Sequence, residues 1–168
     1  DQEVTQNQQD LLAGMQRRLR ALSSDIHALS HELHPAKLKH LGLVSAIRAM
    51  CRDVGTAGLS VEFTDHEVPR DLSEDIALTI YRVMQEGIQN VKKHSGIRRA
   101  EAELKRISTG LLFRLCDKGK GFNSTAAEVT DGLGLLSMRE RLRSVGGVLA
   151  ISSAPGQGTV IEAHIPLP

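Results

Sequence analysis

Aromatic residues are scarce in this sequence: its 168 residues include no tryptophan, one tyrosine and three phenylalanines. Proteins that bind RNA or single-stranded DNA stack bases on aromatic side chains, so this class of protein is disfavoured. An excess of charge of one sign is also lacking, because 21 lysines and arginines are balanced by 20 aspartates and glutamates. We therefore expect no nucleic-acid partner, although a local basic patch stays open.

Cysteines and long apolar runs are few as well. The two cysteines, Cys51 and Cys116, form no CxxC motif, so neither a disulfide framework nor a zinc site is expected. This cysteine usage suits a reducing compartment, and we expect a cytoplasmic location. No apolar run approaches the ~18 residues of a membrane span, so we do not expect this chain to be membrane-inserted. The sequence begins with Asp and shows no signal peptide, and we interpret it as a fragment of a longer protein, whose membrane anchoring stays open.

The first third of the sequence has the pattern of a helical segment, which we assign to residues 1–57. Apolar residues recur at alternating spacings of three and four, which is the seam of a coiled coil. A helix packed within a monomer has a similar seam, but so narrow a stripe favours dimerisation. Pro35 predicts a break, and a second apolar series ends near Gly55 and Gly58. The first seam comprises Leu12, Met15, Leu19, Leu22, Ile26, Leu29 and Leu33, and the second Leu43, Ile47, Met50 and Val54.

The periodicity changes near residue 57, and residues 58–168 have the pattern of an α/β sandwich. Alternating apolar residues predict strands near 59–64, 100–105, 111–115, 148–152 and 159–165. A long helix is predicted over 74–94, with Ser73 as its N-cap, and a shorter one over 135–145. Residues 122–131 are small and polar, which is typical of a mobile loop.

Glycines concentrate in the last third of the chain, where they occur in pairs. Paired glycines let the backbone approach a ligand and let N–H groups point at phosphate. The sequence nevertheless has no G-x-x-x-x-G-K-[ST] motif, and the pair Gly119 and Gly121 lacks the third glycine of a dinucleotide fingerprint. Taken alone, such a pair is more typical of a tight turn.

Four motifs in a fixed order resemble a known family. They are RVMQEGIQNVKKHS at 82–95, DKGKGF at 117–122, DGLGLLSMRER at 131–141 and GQGT at 156–159. They resemble the N, G1, G2 and terminal boxes of the GHKL ATP-binding fold, and more closely the catalytic domain of sensor histidine kinases of the nitrate-sensor/DesK-like subfamily. Residues 24–35 and 41–47 resemble the second helix of that family's dimerisation domain. The resemblance implies an α+β fold, with a Bergerat-type ATP-binding sandwich after a helical dimerisation segment.

The N box carries the residues that the resemblance makes catalytic. Glu86 and Asn90 are spaced i, i+4, so both project from one helix face. The amide oxygen of Asn90 is a hard ligand suited to Mg²⁺, and by resemblance Asn90 holds Mg²⁺ between the ATP phosphates. Glu86 would support it or polarise the attacking group. Lys93 and His94 follow one turn later and could reach phosphate oxygens. In isolation, each pair is typical of a solvated helix surface.

The glycine-bearing boxes supply the rest of the expected nucleotide site. Asp117 would accept hydrogen bonds from the adenine amino group and reject guanine, and Thr159 would support the same edge. Gly132 and Gly134 are expected to precede a helix whose N–H groups face the phosphates, and the loop 122–131 would be the lid over ATP. The expected ATP-binding set is Asn90, Lys93, His94, Asp117, Gly119, Gly121, Phe122, Gly132, Leu133, Gly134 and Thr159, with Asn90 as the magnesium ligand.

Two residues depart from the family pattern. Lys118 stands where Asp or Asn is commoner, which changes the charge beside the nucleotide. Gly87 stands where Ala is usual and should weaken its helix by up to about 1 kcal/mol.

Histidines in the first segment look like a phosphoacceptor, but we reject that assignment. His31 to His34 reads H-E-L-H, yet Pro35 follows where Asp is usual, and only one helix separates this motif from the next strand. We expect the acceptor helix to lie upstream of this chain. His27, His31 and His34 share one helix face, where a metal site is an alternative to a solvated surface.

The sequence thus predicts the ATP-binding part of a sensor histidine kinase in two-component signalling. Its expected cofactors are ATP and Mg²⁺, and its expected partners are a second copy of the chain and a response regulator receiver domain. Two alternatives remain: a nucleotide-binding dimerisation module without transferase activity, and an anti-sigma-type serine kinase.

Overall fold

The computed structural model describes residues 36–123 and 133–167. Its strands are β1 (Ser60–His66), β2 (Arg99–Ile107), β3 (Gly110–Asp117), β4 (Val148–Ser153) and β5 (Thr159–Ile165). Its helices are α1 (Ala36–Leu41), α2 (Leu43–Thr56), α3 (Glu74–Asn90) and α4 (Leu133–Ser144). A single π-helical turn, Val91–Ser95, extends α3. None of the helices within these residues has the length and apolar character needed to cross a membrane.

The five strands form one mixed sheet in the order β1-β2-β3-β5-β4. Strand β1 runs parallel to β2, and the other neighbouring pairs are antiparallel. Helix α3 contacts β3 and β5, and α4 contacts β4. The predicted α+β class is confirmed, because helices and a mixed sheet share one core.

The alternating residues of β2 explain how the sheet buries one of its faces. Ala100, Ala102 and Leu104 are buried, whereas Glu101 is exposed. Side chains along a strand point alternately to opposite faces, so the apolar set meets the helices and the charged set faces water. The core also takes Leu111, Phe113 and Leu115 from β3 and Ile161, Ala163 and Ile165 from β5.

Helix α2 lies before residue 57, yet its apolar face belongs to the same core. Leu43, Ala46 and Ile47 are buried in one cluster with Leu59 and Ile80. The helix runs one residue past Gly55, so this glycine lies inside its last turn instead of ending it. The segment expected to dimerise and the segment expected to bind ATP therefore share core side chains across residue 57.

Helix α3 begins where the sequence predicts. The Ser73 hydroxyl accepts a hydrogen bond from the Ile76 N–H (3.3 Å), and Glu74 and Asp75 lie in the first turn, where the helix dipole favours acids. Its regular part ends at Asn90, earlier than the predicted residue 94. The difference arises because residues 91–95 continue as a π-helical turn that closes on Gly96 in the left-handed conformation, with φ 74°.

Gly87 is explained by a close approach between α3 and the sheet. A Cβ at this position would collide with the Leu115 side chain of β3 and contact that of Ile161. Glycine therefore lets the helix lie directly on the sheet, and the helix propensity lost at Gly87 is compensated by this contact.

We expect Gly87→Ala to destabilise the protein by about 1–3 kcal/mol, because overpacking outweighs the gain in helix propensity of about 1 kcal/mol. Gly55→Ala is the matched control: Gly55 is also helical, and nothing lies within 4 Å of its Cβ position. It should be neutral or stabilising. Urea unfolding measures both changes, and a more stable Gly87→Ala would contradict the steric account.

Candidate functional site

A cleft of about 630 Å³ opens between α3, the π-helical turn and the edge of the sheet where β3 ends. Helix α3 provides one wall, and the first turn of α4 lies beside it. Leu115, Ile151, Ile161 and Leu135 give the cleft an apolar interior, and the charged residues stand around it. A mostly apolar cleft with a few placed polar groups is typical of a small-molecule site.

Two polar side chains of α3 face this cleft. Glu86 and Asn90 are one helical turn apart, and both are half-buried lining residues. Glu86 also packs against the start of α4, because a Cβ on Gly134 would collide with its carboxylate. Gly134 is therefore required for steric reasons. It lies within the first turn of α4, so the expectation that it precedes the helix is wrong.

The π-helical turn positions two further polar residues. Lys93 and His94 are exposed and line the cleft mouth, one turn beyond Asn90. The buried Ser95 fixes this turn: its hydroxyl donates to the Val91 carbonyl (2.6 Å) and accepts from the Ile97 N–H (3.1 Å). The irregular end of α3 is thus held by hydrogen bonds within the chain.

Asp117 lies at the last residue of β3, on the floor of the cleft. Its side chain is buried, with 7% exposure, and Oδ1 accepts a hydrogen bond from the Gly119 N–H (2.8 Å). Thr159, the first residue of β5, pairs with Asp117 across the sheet and also lines the cleft. Two acceptor-bearing side chains from neighbouring strands therefore meet at one end of the site.

The loop after Asp117 is held against two other segments through its backbone. The Lys120 N–H donates to the Ser95 carbonyl (2.8 Å), and the Lys120 carbonyl accepts from the Gly156 N–H (2.6 Å). Side chains are excluded at two close approaches: a Cβ on Gly121 would collide with the Ala154 carbonyl, and one on Gly158 with the Asp117 carbonyl. The paired glycines thus serve backbone-to-backbone packing around the cleft.

Most of the predicted site residues come together in this one cleft. Gly119 contacts the site through its N–H, and Leu133 contributes the first residue of α4, while Gly132 and most of the predicted lid, residues 124–131, lie outside the described residues. The predicted residues that line the cleft are Glu86, Asn90, Lys93, His94, Asp117, Gly121, Phe122, Gly134 and Thr159.

Lysine placement differs from the sequence-based expectation. Lys120 lines the cleft and lies against Gly96, whereas Lys118 is exposed and does not line it. Of these two lysines, Lys120 is therefore the one whose charge lies beside a ligand in the cleft. Ser95 and Ser153 were also missed as structural supports of the site. Ser95 directly follows the N-box Lys-His pair, while nothing in the local pattern marks Ser153.

Metal-binding clusters of three or more acidic, histidine or cysteine side chains do not occur within residues 36–123 and 133–167. The histidines His27, His31 and His34 lie outside those residues. The donor set of the cleft fits a different kind of ion site. An amide oxygen at Asn90 and a carboxylate at Glu86 are hard donors, which suit a Mg²⁺ ion coordinated mainly by water and phosphate oxygens. Magnesium here would neutralise phosphate charge, with Asn90 as its protein ligand.

Residues 75–168 match the family of histidine kinase-, DNA gyrase B- and HSP90-like ATPases. The chain belongs to this family. The match includes α3 from its second residue, the sheet from β2 onwards and all the residues that line the cleft. The cleft therefore lies within a domain of an ATPase family.

Solved structures with the same fold include histidine kinases. The histidine kinase domain of the blue-light activated kinase EL346 from Erythrobacter litoralis superposes with a TM-score of 0.60 at 22% identity, covering 76% of this chain and 60% of that one. The histidine kinase AdeS from Acinetobacter baumannii superposes at 0.59 with 16% identity, covering 93% and 83%. The chain spans 50% of a longer EL346 structure. At these identities, the likeness shows the shared fold.

We expect Asp117→Asn to weaken ATP binding about 10- to 100-fold, as for loss of a charged hydrogen bond of about 1.5–3 kcal/mol. The amide oxygen can keep the Gly119 contact, while the amide nitrogen presents a donor to the adenine amino group. Isothermal calorimetry measures the change. Asp71→Asn, at an exposed residue outside the cleft lining, is the control and should bind normally. Undiminished affinity in Asp117→Asn would contradict the adenine contact.

Proposed function

We propose that this chain is the ATP-binding catalytic part of a sensor histidine kinase of the nitrate-sensor/DesK-like subfamily. The observation that carries the proposal is that Asn90 and Asp117, which come from two different sequence boxes, line one cleft. The order of the boxes along the chain resembles the order in this subfamily. Asp117 would select the adenine ring at the floor, and Asn90 would face the phosphates at the mouth. The parent protein would move the γ-phosphoryl group of ATP to a histidine and then to an aspartate of a response regulator.

The residues of the cleft suit phosphoryl transfer because they position and neutralise charge. This reaction depends mainly on in-line placement and on electrostatic stabilisation of the phosphoryl oxygens. Lys93, His94 and Lys120 would attract phosphate at the mouth, while the apolar walls exclude water from the base. The Glu86 carboxylate, next to Asn90 on the helix, would orient the amide or polarise the attacking histidine.

Dimerisation and location form the second part of the proposal. The apolar seam from Leu12 to Leu33 favours pairing with a second copy of the chain, which would bring an acceptor histidine within reach of a catalytic domain. We place the domain in the cytoplasm, where ATP and a response regulator are available. The parent protein would be a phosphoprotein.

We expect the chain to bind ATP with Mg²⁺ without becoming phosphorylated on His27, His31 or His34. These residues resemble the second helix of the dimerisation domain, and a histidine out of line with the γ-phosphate gains little from proximity. Incubation with γ-labelled ATP and acid- and base-stability analysis measure this. Acid-labile, base-stable label that disappears in His34→Gln would make His34 the acceptor and overturn the helix assignment.

The same assay tests the kinase proposal when a separate polypeptide carrying a histidine-kinase acceptor helix is supplied. Transfer to it should give acid-labile phosphate, and Asn90→Ala should abolish it. His66→Ala, at an exposed residue outside the cleft lining, is the control and should transfer normally. Acid-stable label on serine would favour the serine-kinase alternative, and ATP binding without any transfer would favour the binding module.

A further inference from the structure

Ser153, the last residue of β4, makes three polar contacts around the cleft. Its Oγ accepts a hydrogen bond from the Phe122 N–H (2.9 Å) and donates to the Gly158 carbonyl (2.8 Å). Its third neighbour is the Thr159 hydroxyl, with 3.1 Å between the two side-chain oxygens. The serine thus joins the loop after β3 to the start of β5.

The number of hydrogens in this group fixes the direction of the third contact. A serine hydroxyl has one hydrogen and two acceptor lone pairs. The Gly158 carbonyl can only accept, so the Ser153 hydrogen is used there. Both lone pairs are then available to donors, one to the Phe122 N–H and one to the Thr159 hydroxyl. The Thr159 hydroxyl must therefore donate to Ser153, and every group in the set is satisfied.

The hydrogen bond to Ser153 limits the Thr159 hydroxyl to the role of acceptor toward a ligand in the cleft. Thr159 lines the cleft and pairs with Asp117 across the sheet. With its hydrogen directed to Ser153, its oxygen presents only lone pairs to a ligand. The Gly119 N–H donates to Asp117 Oδ1 (2.8 Å), so the second oxygen, Oδ2, is the one that a ligand donor would use. The floor of the cleft therefore offers acceptors from two side chains and no hydroxyl donor from Thr159.

We propose that Ser153 is a specificity-determining positioning residue: it holds the Thr159 hydroxyl as an acceptor, so the site favours a 6-amino purine over a 6-oxo purine. This inference rests on the proposed ATP site. An adenine amino group has two N–H donors, one for the Asp117 carboxylate and one for the Thr159 oxygen, whereas the 6-oxo group of inosine or guanine places an acceptor against both. Asp117 disfavours a 6-oxo group by itself, but a freely rotating Thr159 hydroxyl would donate to that group and weaken the discrimination.

The test compares ATP with inosine triphosphate, which has the same sugar and triphosphate but carries a 6-oxo group. Calorimetry on the full chain gives the ratio of the two Kd values. In Ser153→Ala, this ratio should fall about three- to ten-fold, the range for a hydrogen-bond contribution. Thr159→Val should also lower it, because the amino group loses an acceptor, and the double variant should match Thr159→Val, because Ser153 acts through the Thr159 hydroxyl. Ser153→Thr retains a hydroxyl and should restore the discrimination.

Ser152→Ala is the matched control, since Ser152 is the exposed neighbour on the opposite face of β4. A purely structural role for Ser153 would weaken both nucleotides by the same factor, and an unchanged ratio overturns the proposal. An equal fall in Ser152→Ala overturns it as well. Should Ser153→Ala fail to fold, an unchanged ratio in Thr159→Val is decisive against it. A wild-type chain that binds neither nucleotide refutes the ATP site itself, whereas ATP preference retained in Ser153→Ala refutes only this inference.

Discussion

The backbone of Lys120 holds the site together, because its two polar groups are bonded to different segments. Its N–H reaches the π-helical turn at Ser95, and its carbonyl reaches the β4–β5 turn at Gly156. A backbone hydrogen bond contributes only about 0.5–1.5 kcal/mol to stability, but these two bonds act on one residue and fix it from both sides. Both backbone bonds of Lys120 form only when the loop after Asp117 lies between the π-helical turn and the β4–β5 turn. This placement brings the end of α3 and the end of β3 to the same cleft.

This arrangement explains why the phosphate-facing and base-facing residues keep a fixed separation. Asn90, Lys93 and His94 belong to a helix and its irregular extension, while Asp117 and Thr159 belong to paired strand ends. Helix and sheet could in principle slide relative to each other. Contacts at Ser95, Gly119 and Lys120 oppose sliding near the site. Inside the core, the close packing of Gly87 against the Leu115 side chain opposes it.

The sequence predicted the parts of this structure that depend on local pattern. Alternating residues such as Ala100, Ala102 and Leu104 marked the strands, and Ser73 marked a helix start, because burial and capping leave periodic or positional signals. The π-helical turn could not be predicted, since its stabilising contacts at Ser95 are specific to one geometry. The packing of α2 into the core could not be predicted either. An apolar helical stripe has the same spacing whether it packs against a second chain or against the sheet.

The site shows the same division. Asp117 and Asn90 could be found because their motifs have fixed spacing, whereas Ser153 acts through hydrogen bonds that join two segments, the start of β5 and the loop at Phe122, which is 31 residues away. Lys118 and Lys120 could not be distinguished without the loop conformation, which turns one lysine outward and the other to the cleft.

The contact between Gly87 and Leu115 also constrains how related sequences can diverge. Helix and strand share a fixed volume at this point, so a larger residue on the helix requires a smaller one on the strand. Relatives with alanine at the position of Gly87 should carry valine, alanine or another short side chain at that of Leu115. The two positions should therefore covary, although they are 28 residues apart in sequence.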